Sequence, residues 1–197
     1  MYKYIVIIHK ICYNEIRKDL IIRVFNSSLS KKEISLVIIF YAIVIVVAIF
    51  ISTKAIGLCI TKTSSMQGTL NVNDYYIENK IAYKFGKLPQ RGDIVDFKFP
   101  ETGELYAKRV LGLPNETVQI KNGIVYINGE AIDEPYLSSN SLGDFGPYAV
   151  PAGTYFMMGD NRNESYDSRQ WKTKYIPIEN IEGRVWGTFS DFKLRVF

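Results

Sequence analysis

Three short segments hold most of the side chains that could do nucleophilic or acid–base chemistry. Thr61-Lys-Thr-Ser-Ser-Met-Gln-Gly-Thr-Leu70 carries two adjacent hydroxyls, Ser64 and Ser65. Tyr106-Ala-Lys-Arg-Val-Leu-Gly-Leu-Pro114 carries Lys108 and Arg109. Gly159-Asp-Asn-Arg-Asn-Glu-Ser-Tyr-Asp-Ser-Arg169 mixes hydroxyls, carboxylates and arginines. What is scarce narrows the chemistry further. The 197 residues include one histidine, His9, and two cysteines, Cys12 and Cys59. Past residue 53 there is no imidazole and one thiol, which argues against zinc hydrolysis with its usual ligands and against a disulfide framework. No Gly-rich phosphate loop is present.

The elements that must position these residues begin with an anchor. Residues 34–52 run without a charge, and as a helix they span roughly 28 Å, close to the hydrocarbon thickness of a bilayer. The run is longer than the h-region of a cleavable signal peptide, so it reads as an uncleaved transmembrane helix. The formal net charge of +4 lies wholly ahead of it: residues 1–33 hold Lys3, Lys10, Arg17, Lys18, Arg23, Lys31 and Lys32 against Glu15, Asp19 and Glu33. The body is neutral, which speaks for a membrane-flanking arm and against nucleic acid as a partner. Basic residues near the apolar run favour a cytoplasmic N-terminus. The expected organisation is a cytoplasmic basic arm (1–33), a transmembrane helix (34–52) and an extracytoplasmic domain (53–197). Ile5, Ile8, Cys12, Ile16 and Leu20 are spaced for one face of a helix, which leaves two readings open: a short helix lying on the inner leaflet or a partly ordered tail. Cys59, just past the anchor, reads as a small membrane-buried residue.

Beyond residue 74 the pattern predicts short strands: 94–99, 106–111, 118–127, 154–158 and 184–189. Asn122-Gly123 marks a tight hairpin, and a second Asn-Gly follows at 128–129. The economical reading is one mostly antiparallel β domain. With His9 across the membrane from that domain, a Ser-His-Asp triad is excluded. A serine activated by lysine, or a pair of carboxylates, remains.

The three segments, with Arg91-Gly-Asp-Ile-Val-Asp-Phe97 between the first two, resemble the boxes of type I signal peptidases in order, spacing and placement after an anchor. The resemblance covers nearly everything from the anchor onward. It implies a mostly β, antiparallel-sheet catalytic domain, and a bacterial plasma-membrane serine endopeptidase that cleaves signal peptides from secreted precursors. Its partners are those precursors and membrane lipid, with no cofactor and no metal.

By the same resemblance Ser65 is the nucleophile, in preference to Ser64, and Lys108 its general base. An ammonium cannot accept a proton, so Lys108 must be neutral. Burial is expected to bring its pKa down, because Arg109 next to it on a strand faces the other way. The resemblance assigns Ser165 to a hydrogen bond that orients the Lys108 amine, and Asp167 to pairs with Arg109, Arg169 or both. It gives the oxyanion to the Ser65 N–H and the Thr63 hydroxyl. Met66, Leu70, Tyr106 and Ala107 are expected to line the substrate pockets. Ser165, Asp167 and Arg169, spaced by two, share a face if their segment is extended. Gly159 and Asn161 shape a turn, while Arg162 and Glu164 read as solvated surface. The sequence departs from the family at Gly68, where proline is usual. That departure supports a rival reading, a non-catalytic assembly or chaperone factor that binds export precursors. A second rival, a self-cleaving repressor-type Ser-Lys fold, would want a DNA-binding domain where this chain has an anchor.

Overall fold

The computed structural model describes residues 30–190 and 193–197. His9, Cys12 and the proposed inner-leaflet helix of the basic arm lie outside the described residues. The chain divides into two compact units, one ending at Phe50 and the other running from Ile51 to Phe197.

The apolar run forms helix α1, Lys31–Ala55, three residues longer at each end than expected. Its start is fixed by a capping box. Glu33 N–H donates to Ser30 Oγ (3.3 Å) and Ser30 N–H to the Glu33 carboxylate (2.7 Å), so orphan donors are satisfied reciprocally. The helix is long and apolar enough to cross a membrane, and its side chains from Ile34 to Phe50 are exposed on every face, as a lipid-facing span requires.

The second unit is built from two antiparallel sheets. The larger follows the order β1 (Ile56–Ile60), β2 (Tyr75–Asn79), β11 (Ile181–Ser190), β3 (Ile94–Lys98), β4 (Leu105–Gly112), β9 (Thr154–Met158) and β10 (Tyr175–Pro177), and β12 (Lys193–Val196) pairs with β11. The smaller has β7 (Glu130–Ala131), β6 (Ile124–Ile127), β5 (Thr117–Lys121) and β8 (Phe145–Ala149). Besides α1, the described residues include only two single 3-10 turns, at Ser64–Met66 and Ile178–Asn180. Cys59 lies in β1, opposite Tyr76 of β2, and not in the membrane span. The chain leaves the helix at Ala55 and pairs at once, so the thiol belongs to the sheet.

Local chemistry accounts for the hairpins. Asn122 and Gly123 take φ of 50° and 77°, and Asn128 and Gly129 take 51° and 88°. Two successive left-handed residues make the turn whose twist matches flanking strands. The first joins β5 to β6 and the second β6 to β7.

Strand β9, Thr-Tyr-Phe-Met-Met, shows no polar alternation because both of its faces are covered. Tyr155 and Met157 pack with Val95, Phe97, Val110 and Trp171. Phe156 and Met158 pack with Leu111 and with Val118, Ile120 and Val125 of the smaller sheet. A third cluster joins Met66 and Leu70 to Tyr76, Ile94 and Val185, and so seats the segment bearing Ser65 on the larger sheet.

The two sheets meet at Gly112, where β4 shifts register against β9. A Cβ at this position would stand 2.4 Å from Val118 Cγ2 and 3.0 Å from both Phe156 Cβ and Val150 Cγ2. Overpacking of this kind costs about 1–3 kcal/mol. Gly112→Ala is expected to lower the unfolding free energy by that amount, read as a lower denaturation midpoint with an unchanged m-value. An unchanged midpoint would show that the sheets separate there without cost.

Candidate active site

Ser65 sits in the 3-10 turn Ser64–Met66, entered from an extended Thr63 (φ −126°, ψ 158°). The turn is held from below by its own apolar residues, Met66 (1% exposed) and Leu70 (0%). From the side it is gripped by the turn after β9. Asn161 N–H donates to Ser65 O and its side-chain amide to Ser64 O, each at 3.1 Å. The hydroxyl of Thr69 donates to Asp160 Oδ2 at 2.6 Å.

Lys108 lies on β4 opposite Val95 of β3, with its amine 5.7 Å from the centre of the Tyr106 ring. Lys108 Nζ and Ser65 Oγ are 2.6 Å apart, and Thr63 Oγ1 is 3.2 Å from Ser65 Oγ. Lys108 is 4% exposed. Burial brings its pKa down to about 8 from 10.5, while Asp167 and Asp160 oppose the shift through space. Desolvation is therefore what favours the neutral amine.

Arg109 points to the other face of the strand, as alternation requires. Its guanidinium donates two hydrogen bonds to Asp160 (2.8 and 2.6 Å) and one to Gly92 O (2.7 Å), and stacks 3.8 Å from the Tyr136 ring centre. The expected Arg109–Asp167 pair is not formed, because Asp160 already occupies the fork. Asp167 pairs with Arg169 alone, through two bonds of 2.8 Å.

The segment after Gly159 is not extended. It is a succession of turns organised by the Asp167 carboxylate, which accepts the N–H of Gly159 (3.0 Å) and of Arg169 (3.2 Å). A side chain that captures local backbone donors in this way displaces a strand ladder. Ser165 consequently does not reach Lys108. The amine contacts Ser65 Oγ and Ala107 O, and Ser165 Oγ is buried with no hydrogen-bond partner. Gly159 separates the two serines: a Cβ there would lie 2.2 Å from Ser165 Oγ and 2.3 Å from Ser65 O. Arg162, expected on the surface, is 1% exposed, because it pairs with Glu134 and donates to Gly159 O. Glu164 is exposed.

Gly68 has φ of +94°, which proline, fixed near −65°, cannot adopt. Its N–H donates to Asn71 Oδ1 at 3.2 Å, a bond that proline also lacks. Glycine here permits a different turn and does more than loosen the one proline would make.

A groove of about 640 Å³ opens over the Ser65–Lys108 pair, and Met66, Leu70, Tyr106 and Ala107 all border it. Cys59 and Tyr76 form part of its wall. Cys59 with Glu78 and Asp96 is the one group among the described residues whose ligand atoms could surround a metal ion. Sequence reasoning left Asp160 without a role, although it directly follows Gly159 in the quoted segment and is the anion nearest in kind to an unpaired Arg109. Glu134 and Tyr136 carried no signal, since their loop has no periodic pattern.

The sequence model of the signal peptidase, peptidase S26 family matches residues 34–189. Signal peptidase I of Leptolyngbya laminosa is 45% identical over 131 residues, 62% of this chain and 63% of that protein. Signal peptidase I P of Bacillus subtilis subsp. natto is 37% identical over 163 residues, 77% of this chain and 87% of that protein. A crystal structure of a signal peptidase I from Enterococcus faecalis is 37% identical, with 50% of this chain and 97% of that one covered and a TM-score of 0.45. The chain thus spans under two thirds of the Leptolyngbya protein and most of the Bacillus one. With the apolar α1, the match marks a membrane-anchored protein. By the extent of the family match and by the Bacillus relative, the chain belongs to the signal peptidase, peptidase S26 family.

Proposed function

We propose that this protein is a membrane-anchored serine endopeptidase that removes signal peptides from exported precursors, with Ser65 as nucleophile and Lys108 as general base. The observation that carries the reading is the 2.6 Å separation of Ser65 Oγ and Lys108 Nζ at an amine whose pKa burial lowers to about 8. In this mechanism neutral Lys108 takes the Ser65 proton as Oγ attacks the scissile carbonyl. The resulting ammonium returns the proton to the leaving amine, and the mature chain departs. A water molecule, deprotonated by Lys108, then frees the signal peptide from the acyl-enzyme. In the same mechanism Thr63 Oγ1 donates to the developing oxyanion together with the Ser65 N–H, a role supported by its 3.2 Å distance from Ser65 Oγ. Asp160, Arg109, Asp167, Arg169 and Ser165 position the two turns and do not touch the reacting atoms.

The substrate binds extended. β9 pairs with β4 only from Arg109 onward, so Leu105–Lys108 presents one flank of the strand to an incoming peptide. β-augmentation there sends alternate small side chains toward Met66, Leu70, Tyr106 and Ala107. The basic arm lies in the cytoplasm and the catalytic unit outside. In the rival binding-factor reading the same peptide is held and not cut, and nothing in the dyad's geometry requires that.

Cleavage of a signal-peptide-bearing precursor by the full chain in detergent is expected to vanish in Ser65→Ala and Lys108→Ala. Equal turnover by all three would remove the dyad, and no cleavage by the unsubstituted protein would favour the binding factor.

The pH dependence has a definite sign. Lys108 acts as base only when neutral, so kcat/KM is expected to rise as pH increases through about 8. A rate that falls or stays flat across that range contradicts the assignment. The same burial opposes folding. In the unfolded chain the amine keeps a pKa near 10.5, so below pH 8 the fold loses on the order of 3 kcal/mol, and this loss disappears above pH 10.5. Lys108→Met is expected to be inactive yet more stable than the parent at pH 7. A less stable variant would mean that the amine's own bonds outweigh its desolvation.

Topology is open to a separate check. Protease added to intact cells should degrade residues 53–197, and their protection would reverse the orientation.

A further inference from the structure

Glu78 is a glutamate on a central strand whose carboxylate is accommodated by two glycines. Gly57 of β1 lies opposite it, and a Cβ at Gly57 would stand 2.5 Å from Glu78 Oε2. On the other side is Gly183 of β11, where a Cβ would stand 2.7 Å from Glu78 Oε1. Gly183 is in turn the register partner of Asp96 on β3. The missing side chain on β11 is what lets Glu78, from β2, approach Asp96 across an intervening strand. Cys59 of β1 completes the group, since a sulfur and one oxygen from each carboxylate all lie within 4.8 Å of one another.

The polar balance of this group is incomplete. Asp96 is 0% and Glu78 2% exposed. Tyr76 Oη donates to Asp96 Oδ1 at 3.0 Å, yet Asp96 Oδ2 and Glu78 Oε1 have no hydrogen-bond partner. Neither carboxylate enters an ion pair among the described residues, and Lys80 acts on both only through space, with Glu182 opposing it at Glu78. Two buried carboxylates beside a thiol, without a cation in contact, form a costly arrangement. One thiolate and two carboxylate oxygens are a donor set that zinc and its analogues accept, with water as a fourth ligand.

We propose that Cys59, Glu78 and Asp96 bind one divalent transition-metal ion of the zinc class, clamping β1, β2 and β3 together. The ion would neutralise the carboxylates and satisfy both orphaned oxygens. It plays no part in peptide cleavage and does not depend on the dyad. Because Cys59 and Tyr76 also border the groove, the clamp stiffens one groove wall.

The test uses the full chain in detergent, stripped with chelator and then dialysed against zinc chloride, with retained metal counted by mass spectrometry. Cobalt substitution supplies a second readout, the near-ultraviolet charge-transfer band of a thiolate–cobalt bond. The parent and Ser65→Ala should each retain one equivalent and show the band, which separates this result from the fate of the peptidase reading. Cys59→Ser should lose the band, and both Cys59→Ser and Glu78→Gln should bind zinc at least about tenfold more weakly. Cys59 is only partly buried, so its serine variant decides the matter if Glu78→Gln fails to fold. Failure of the parent to retain zinc, or equal retention by Cys59→Ser, overturns the site.

Discussion

Near neutral pH an amine can take a proton from serine only where its charged form has been denied water, and in the proposed mechanism this requirement falls on the whole second unit. Lys108 is 4% exposed although it stands on the part of β4 that β9 leaves uncovered. It is kept dry by Val95 across the strand pair, by the Tyr106 ring and by the turn that carries Ser65. That turn belongs to no sheet, so its position over the amine must be secured from elsewhere. Asp160 supplies the link. Its carboxylate accepts from Arg109 on β4 and from Thr69 beyond Ser65, tying the strand that bears Lys108 to the segment that bears Ser65. A buried pair of this kind stabilises only when every donor is satisfied, and Arg109 meets that condition with Gly92 O and the Tyr136 ring.

The third segment repeats this solution twice. Asp167–Arg169 and Glu134–Arg162 are both nearly removed from solvent, and both brace turns that press on Gly159 and Asn161. Their arginines donate to backbone carbonyls of the same turns, Gly159 O and Arg162 O. These pairs fix the shape of loops that no ladder of backbone bonds could hold. Their proximity also has an electrostatic side. Asp167 and Asp160 pull the Lys108 pKa upward, so the anions that position the site work against the neutral amine, and burial must outweigh them.

What could be read from the chain alone follows the range of the forces involved. The apolar span, the two Asn-Gly hairpins and the strands at 94–98, 105–112 and 154–158 are encoded within a few residues, by periodicity and turn chemistry. The alternation that sends Lys108 and Arg109 to opposite faces is equally local. Spacing by two misled at Ser165, Asp167 and Arg169 because Asp167 captures backbone donors within its own loop, a competition that a residue pattern does not display. The burial of Arg162 was hidden for another reason: its partner Glu134 lies 28 residues away in a loop without periodicity. Partner choice among charges is a tertiary property.

Glycines are where the polar interior leaves its trace in the sequence. Gly159 makes room for two serines to lie on either side of one backbone position, and Gly57 and Gly183 make room for the carboxylate of Glu78. In each case a methyl group would collide with an oxygen. Gly57 and Gly183 stand inside strands, where glycine weakens the ladder and has no side chain to pack. Their local cost makes sense only if the space they leave is needed. The same logic distinguishes Gly68, whose surroundings are open and whose requirement is its backbone angle. Proline at that position would remove the Asn71 bond and force another path for the segment between Met66 and Leu70, which together floor the groove. The glycine therefore changes the exit from the turn that bears Ser65 while leaving Ser65 and Lys108 in place.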